Sequence, residues 1–226
     1  ATNNGGTIIN GWVLVSQDEV TVNHFGVRSG SGAANAVHST QNRTLLMNMF
    51  ASGIKKFVFI DGEYYIDGMI DFANVSGLQL IGSKLKHSTL IRIVGEVDYG
   101  IRIGNFNNSY NQDFLIDGLT LFGSIKDNTG SWKTDTYNVN KMLHVGGLVN
   151  NVKFRDLGIQ YCTNAIVSTG TNNWNRTYEN VSIRYVKNGI ITPEANGNLF
   201  QKTFVFFFQE VGISVVGFGV QFDNCS

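Results

Sequence analysis

From Leu78 onward the chain repeats one short pattern: an apolar residue, a variable one, a second apolar residue, then a polar or Gly turn. LQLIGS (Leu78 to Ser83), LTLFGS (Leu119 to Ser124), LGIQYC (Leu157 to Cys162) and VSIRYV (Val181 to Val186) all fit it. Two copies extend further without a gap: FRDLGIQYCTNAI from Phe154 aligns with YENVSIRYVKNGI from Tyr178, an offset of 178 − 154 = 24 residues. FVFFFQEVGI brings the pattern back, and its closing Ile213 lies 213 − 190 = 23 residues beyond Ile190. Alternation of this kind puts one face of each segment in a core and the other in solvent. Repeated at a fixed period of about two dozen residues, it predicts a stacked solenoid of strands, because one copy alone cannot bury its apolar face.

Ahead of the repeats the period changes. After a Gly/Asn-rich lead, WVLVS and VTVNHFGV alternate as a short strand pair. Between about residues 40 and 52, Leu45, Leu46, Met49 and Phe50 fall on one helical face; Ser39 or Thr40 is placed to cap its start and Gly53 to stop it. KKFVFIDGEYYIDG then reads as two strands around a turn at Asp61-Gly62. The expected organisation is a lead over 1–20, a capping segment over 21–73 and coils over 74–226. A helix just before the first coil suits the need of a solenoid to cover its open end.

Composition sharpens this picture. The 226 residues include 26 Gly but 1 Pro, as expected where nearly every N–H is committed to a ladder and Pro would remove a donor. With 17 basic and 17 acidic residues the formal charge is zero, so no basic surface calls for nucleic acid or an anionic membrane. Low charge with many Asn, Ser, Thr and Tyr suits a neutral polar ligand, and sugars are the obvious class. Two cysteines, one inside a strand copy, point to free thiols rather than a disulfide framework. No apolar run approaches the roughly 18 residues of a membrane span. Asn-x-Ser/Thr sequons occur at Asn42, Asn74, Asn107, Asn175, Asn180 and Asn224 and follow from the Asn-rich composition. No metal-ligand spacing, phosphate loop or cofactor signature is present.

Aligned on NAI, NGI and VGI, the copies stack Tyr161, Tyr185 and Phe208 as an aromatic ladder. The same alignment stacks Asp117, Arg155, Glu179 and Lys202 with alternating sign, which assigns Glu179 to a solvated charge ladder rather than to catalysis. Lys187 over Glu210 reads the same way. Asp156, over Asn180 and Thr203, has no cation in register and is either a catalytic carboxylate or a turn cap. Three excursions depart from comparable points: Ser124 to Gly146, Ser168 to Thr177 and Thr192 to Asn198. They hold Trp132, Tyr137 and Trp174, whose flat faces suit sugar rings, with Asn172 and Asn173 as hydroxyl partners. Glycoside hydrolysis needs two carboxyls about 5–5.5 or 6.5–9.5 Å apart. Asp135 and Glu194 are the pair those loops supply. The aromatics alternatively pin the loops to the stack. In FVFFFQ at least one Phe must face outward, toward a partner or a covering loop.

VNHFGV, an amphipathic helix, FVFIDGEYYI and LQLIGS follow one another in an order that resembles the start of pectate-lyase-like right-handed β-helices, above all bacteriophage tailspikes that degrade bacterial surface polysaccharides. The resemblance covers Val20 to Ser83 by motif and the remainder by repeat character. Two departures mark it: SGSGAANAVHSTQ stands where many relatives carry an Asp-rich GDG-x-x-DD segment, and Asp61 replaces the Pro before the turn Gly. It implies an all-β fold, a right-handed parallel β-helix with an N-terminal capping helix. It also implies a viral tailspike that hydrolyses capsule or O-antigen, assembled as a homotrimer on the rest of the virion tail after synthesis in the bacterial host cytoplasm. A non-catalytic glycan-binding or fibre protein and a secreted polysaccharide lyase are the alternatives. A coil beginning at Val220 should run to about residue 229 by this register, so the chain is expected to be the N-terminal part of a longer protein.

Overall fold

The computed structural model describes residues 8–9, 12–13, 21–30, 37–83, 88–104, 111–146, 149–170, 173–193 and 195–226. Most of them are strand, and nearly all strand pairs are parallel. The chain climbs through three columns of paired strands. The first column stacks Lys56–Val58, Gln79–Ile81, Asn111–Asp117, Val149–Arg155, Asn173–Glu179, Leu199–Gln201 and Gln221–Asp223. The second begins with Gly62–Asp67, Thr89–Val94 and Thr120–Phe122, and the third with Ile70–Ala73, Val97–Gly104 and Val139–Gly146. Thereafter single long strands, Gly158–Thr169, Ser182–Thr192 and Phe204–Val215, bend through both. One passage through the three columns is one coil, and six coils run from Lys56 to Val215. The first coil, Lys56 to Ala73, thus lies in the segment the sequence pattern assigns to the cap.

Alternation builds the core. One inward position of the first column runs Phe57, Leu80, Ile116, Phe154, Tyr178, Phe200 and Phe222 in continuous register. Its rings stack: Tyr178 and Phe200 lie 4.4 Å apart at 4°. Ile91, Leu121, Ile159 and Ile183 fill the second column, and Ile101, Leu143, Ile166 and Ile190 the third, all buried. Corners are made by residues in the left-handed region. Gly118, Asp156, Asn180, Lys202 and Asn224 turn the first column into the second, with φ between 48° and 67°. Asn and Asp tolerate that conformation better than most residues, which explains their abundance where Pro is absent.

The helix spans Ser39–Ala51 and buries Asn42, Leu46 and Met49 against the first coil. Neither Ser39 nor Thr40 caps it. His38 occupies the N-cap without a side-chain bond, and Thr40 donates instead to Asp67 at 2.8 Å. Its end is as expected: Gly53, at φ 86°, donates to the Phe50 carbonyl and Ile54 to that of Met49. VNHF is a 3-10 turn, Val22–Phe25, rather than a strand, because the His24 ring accepts the Thr21 N–H and closes the turn.

The repeat offset also needs one correction. Coils five and six are 22 residues apart before Phe208 (Tyr178 with Phe200, Val186 with Phe208) and 23 after it (Asn188 with Val211). A β-bulge between Phe208 and Val211 inserts the extra residue. Glu179 therefore faces Gln201, not Lys202, and the aromatic ladder continues through Phe207, not Phe208. Tyr161, Tyr185 and Phe207 stack at 5.3 and 4.9 Å. The rest of the charge ladder stands, with Asp117 paired to Arg155 and Lys187 to Glu210. Both cysteines are free thiols, and burial pushes that of Cys162 far above its ordinary pKa. Among the described residues no helix is long and apolar enough to cross a membrane.

Candidate functional site

The excursion expected from Ser124 to Gly146 is shorter: it ends at Asn138, because Val139–Gly146 is a paired strand of the third column. Ile125–Asp127 and Thr136–Tyr137 pair antiparallel, and Asn138 clamps their base. Its amide accepts from Ser124 N–H and donates to the carbonyls of Ile93 and Gly95. The tip folds back over coil six, where Gln209 donates to the carbonyls of Trp132 and Asp135 at 2.8 and 3.0 Å. The Trp132 ring meets Phe207 edge-on at 5.5 Å. Tyr137 is buried, and desolvation, then the Asp135 charge, pushes its phenol up to about 12. The Asp135 carboxylate is 7% exposed and accepts from the Thr129 N–H and hydroxyl at 2.9 and 3.1 Å. These three residues fasten the loop to the stack.

Of the other two expected excursions, the described residues are mostly strand. Gly158–Thr169 leads into Asn173–Glu179, and Ser182–Thr192 into Leu199–Gln201, so Trp174 is a strand residue of the first column. Trp132 sits at the tip of the excursion against coil six and Trp174 in the first column, so the two do not share a loop surface. Asp156 sits at a left-handed corner and accepts from the Asn180 amide, the turn role. Asn172 and Glu194 lie outside the described residues, and Asn173 is described by its backbone only.

What remains open to solvent is the outer face of the first column. Trp174 is 44% exposed and stands in register between Asn150 below and Asn196 above. Beside it Asp113 and Asn151 occupy left-handed corner positions, φ 65° and 55°, with the Asn151 amide donating to Asp113 at 3.1 Å. Lys153 stands in register with Leu115, which makes it a diagonal neighbour of Asp113. With Gln79, Phe114 and Leu115 these three line an open cleft of about 400 Å³. The sequence pattern missed this group because the left-handed backbone at Asp113 and Asn151 breaks the apolar alternation around them, although they are 38 residues apart, the same offset as Asp117 and Arg155. The excursion, across which Ser124 and Asn138 differ by 138 − 124 = 14 in number, added to the 24-residue period accounts for that offset.

Chemically Trp174 and this cleft offer a flat indole, amides, the Asp113 carboxylate and the Lys153 ammonium: donors and acceptors for hydroxyl groups around an apolar platform. Among the described residues no three His, Cys, Asp or Glu side chains converge as a metal would require.

No protein-family model matches this sequence, and no curated protein does. Among solved structures, the chain is similar to a candidate glycosyl hydrolase from Parabacteroides merdae ATCC 43184. The identity is 13%, the TM-score 0.46, and 91% of this chain covers 94% of that one. It is also similar to WceF of Pantoea stewartii, a glycan biofilm modifying enzyme with a bacteriophage tailspike-like parallel β-helix fold. There the identity is 12%, the TM-score 0.47, and 99% of this chain spans 41% of WceF.

Proposed function

We propose that the protein is a right-handed β-helix of the tailspike kind, capped by its helix, that binds a bacterial surface polysaccharide along the outer face of the first strand column. The observation that carries the reading is Trp174, half-exposed between Asn150 and Asn196 in register. Coils spaced about 4.8 Å apart present that indole and its flanking amides along a track on which successive sugar units can stack and hydrogen-bond. Zero net charge favours a neutral polymer over a polyuronate. Hydrolysis of the bound chain, a place in a virion tail and assembly as a homotrimer are parts of the same proposal. Phe206 and Phe208, both exposed, supply the apolar outer surface that a trimer seam needs.

A panel of capsular and O-antigen polysaccharides tests this by affinity, new reducing ends and the ultraviolet absorbance of unsaturated products. One polymer should bind, and Trp174→Ala should weaken it roughly tenfold or more while leaving the melting temperature in place. Unchanged affinity in that variant rejects the site. Reducing ends without absorbance identify a hydrolase, absorbance a lyase, and binding with neither a non-catalytic protein.

A further inference from the structure

Arg176 has no exposed surface and heads the fully buried side chains by volume. It points inward from Asn173–Glu179, at a position that the two preceding coils fill with Phe114 and Val152. One Nη donates to Ser168 Oγ. Its Nε and other Nη are buried without a partner among the described residues. So are the hydroxyl of Thr192 and the side-chain amide of Asn198. The Tyr178 hydroxyl lies close enough to the Arg176 guanidinium to interact with it, but in no well-aligned hydrogen bond. Register gathers them at one interior corner. Tyr178 lies two residues along the same inner face, Thr192 follows Ile191, which pairs with Val167 beside Ser168, and Asn198 precedes Leu199, which pairs with Thr177 beside Arg176.

A guanidinium remains protonated at any physiological pH, and an unpaired buried ion is among the costliest features a core can hold. No described carboxylate is ion-paired with Arg176, and Glu179 of the same strand instead faces Arg155 on the charge ladder. At this corner lie two unpartnered guanidinium nitrogens, two hydroxyls and one amide, with net charge +1. That set fits an acceptor with negative charge and no bulk. We propose that this corner binds a small monovalent inorganic anion, which neutralises Arg176 and joins coils four to six from inside. The inference is independent of the glycan reading.

The test compares the full chain in sodium chloride, bromide and gluconate at equal ionic strength, gluconate being too large for an interior corner. Relative to gluconate, a tenfold excess of halide over its Kd should raise Tm by about 3–6 °C, saturably. Arg176→Met should melt at one temperature in all three salts, and bromide-soaked crystals should show an anomalous peak beside the Arg176 guanidinium. Equal melting of the native protein in the three salts overturns the proposal, as does bromide found on the surface only. Should Arg176→Met fail to fold, the salt series and bromide map on the native chain decide. Glu194, two residues after Thr192, is the rival counter-ion: a halide dependence that appears only in Glu194→Gln also overturns the proposal.

Discussion

Lys202 is the odd member of its corner column. Gly118, Asp156, Asn180 and Asn224, the other left-handed residues there, are types that tolerate the conformation, whereas Lys202 holds φ 48° with an ordinary side chain. The backbone cannot relax, because each corner N–H donates to the next coil: Asn180 to the Gln201 carbonyl and Lys202 to that of Asp223, both at 2.9 Å. The left-handed region costs a residue with a normal β-carbon about 1–2 kcal/mol. The Lys202 side chain is exposed and makes no ion pair among the described residues, so replacing it forfeits no contact. Lys202→Asn should therefore gain about 1 kcal/mol, or roughly 2–4 °C in Tm for a chain of this length. Lys202→Gly should gain less, since glycine returns about 0.5–1 kcal/mol as unfolded-state entropy. Lys202→Val, β-branched, should lose at least about 1 kcal/mol. Equilibrium urea unfolding followed by circular dichroism reads all three, with an unchanged m-value showing that only stability moved. An Asn variant no more stable than the native protein, or a Val variant equal to it, would refute the strain argument.

Three further perturbations probe other parts of the stack. A β-carbon at Gly189 would lie 2.1 Å from the Gly212 carbonyl oxygen, so Gly189→Ala should cost at least about 1–3 kcal/mol in the same urea assay; native-like stability would show that the coils separate easily. Gln209→Ala removes the donor that holds the Trp132 and Asp135 carbonyls, and should cost about 1 kcal/mol and make Trp132 more accessible to acrylamide quenching. His144 is held below its ordinary pKa by burial, then by Lys141 and Arg102, against the opposing pull of Asp98 and Asp71. The unfolded chain therefore takes up this proton first: His144's contribution is fully present above about pH 6.5 and fades as pH falls toward the folded value. His144→Gln should flatten the stability profile between about pH 7 and 5, and an unaltered profile would show that other groups set it.

Much of the stack was legible in the sequence because a solenoid strand pairs with its own copy one period away. The alternation of apolar residues, the 24-residue offset of Phe154 on Tyr178 and the stop at Gly53 express contacts local in sequence or in that period, and the Asp117–Arg155 pair was legible across 38 residues because the apolar pattern resumes on either side of the inserted excursion. Local irregularities broke the reading. The bulge after Phe208 moved the ladder from Phe208 to Phe207, and the left-handed backbone at Asp113 and Asn151 interrupted the alternation that would have set them side by side. Tertiary structure alone decided which side chains are free to act. Asp135 and Trp132, suited in composition to catalysis and sugar binding, are consumed by Thr129, Gln209 and Phe207. Trp174 stays open because nothing among the described residues packs over its column, and Arg176 is enclosed because its inward position is roofed by the coils on either side. Period and alternation thus determine the scaffold, but burial depends on what lies across a coil or folds back over it, which no single repeat encodes.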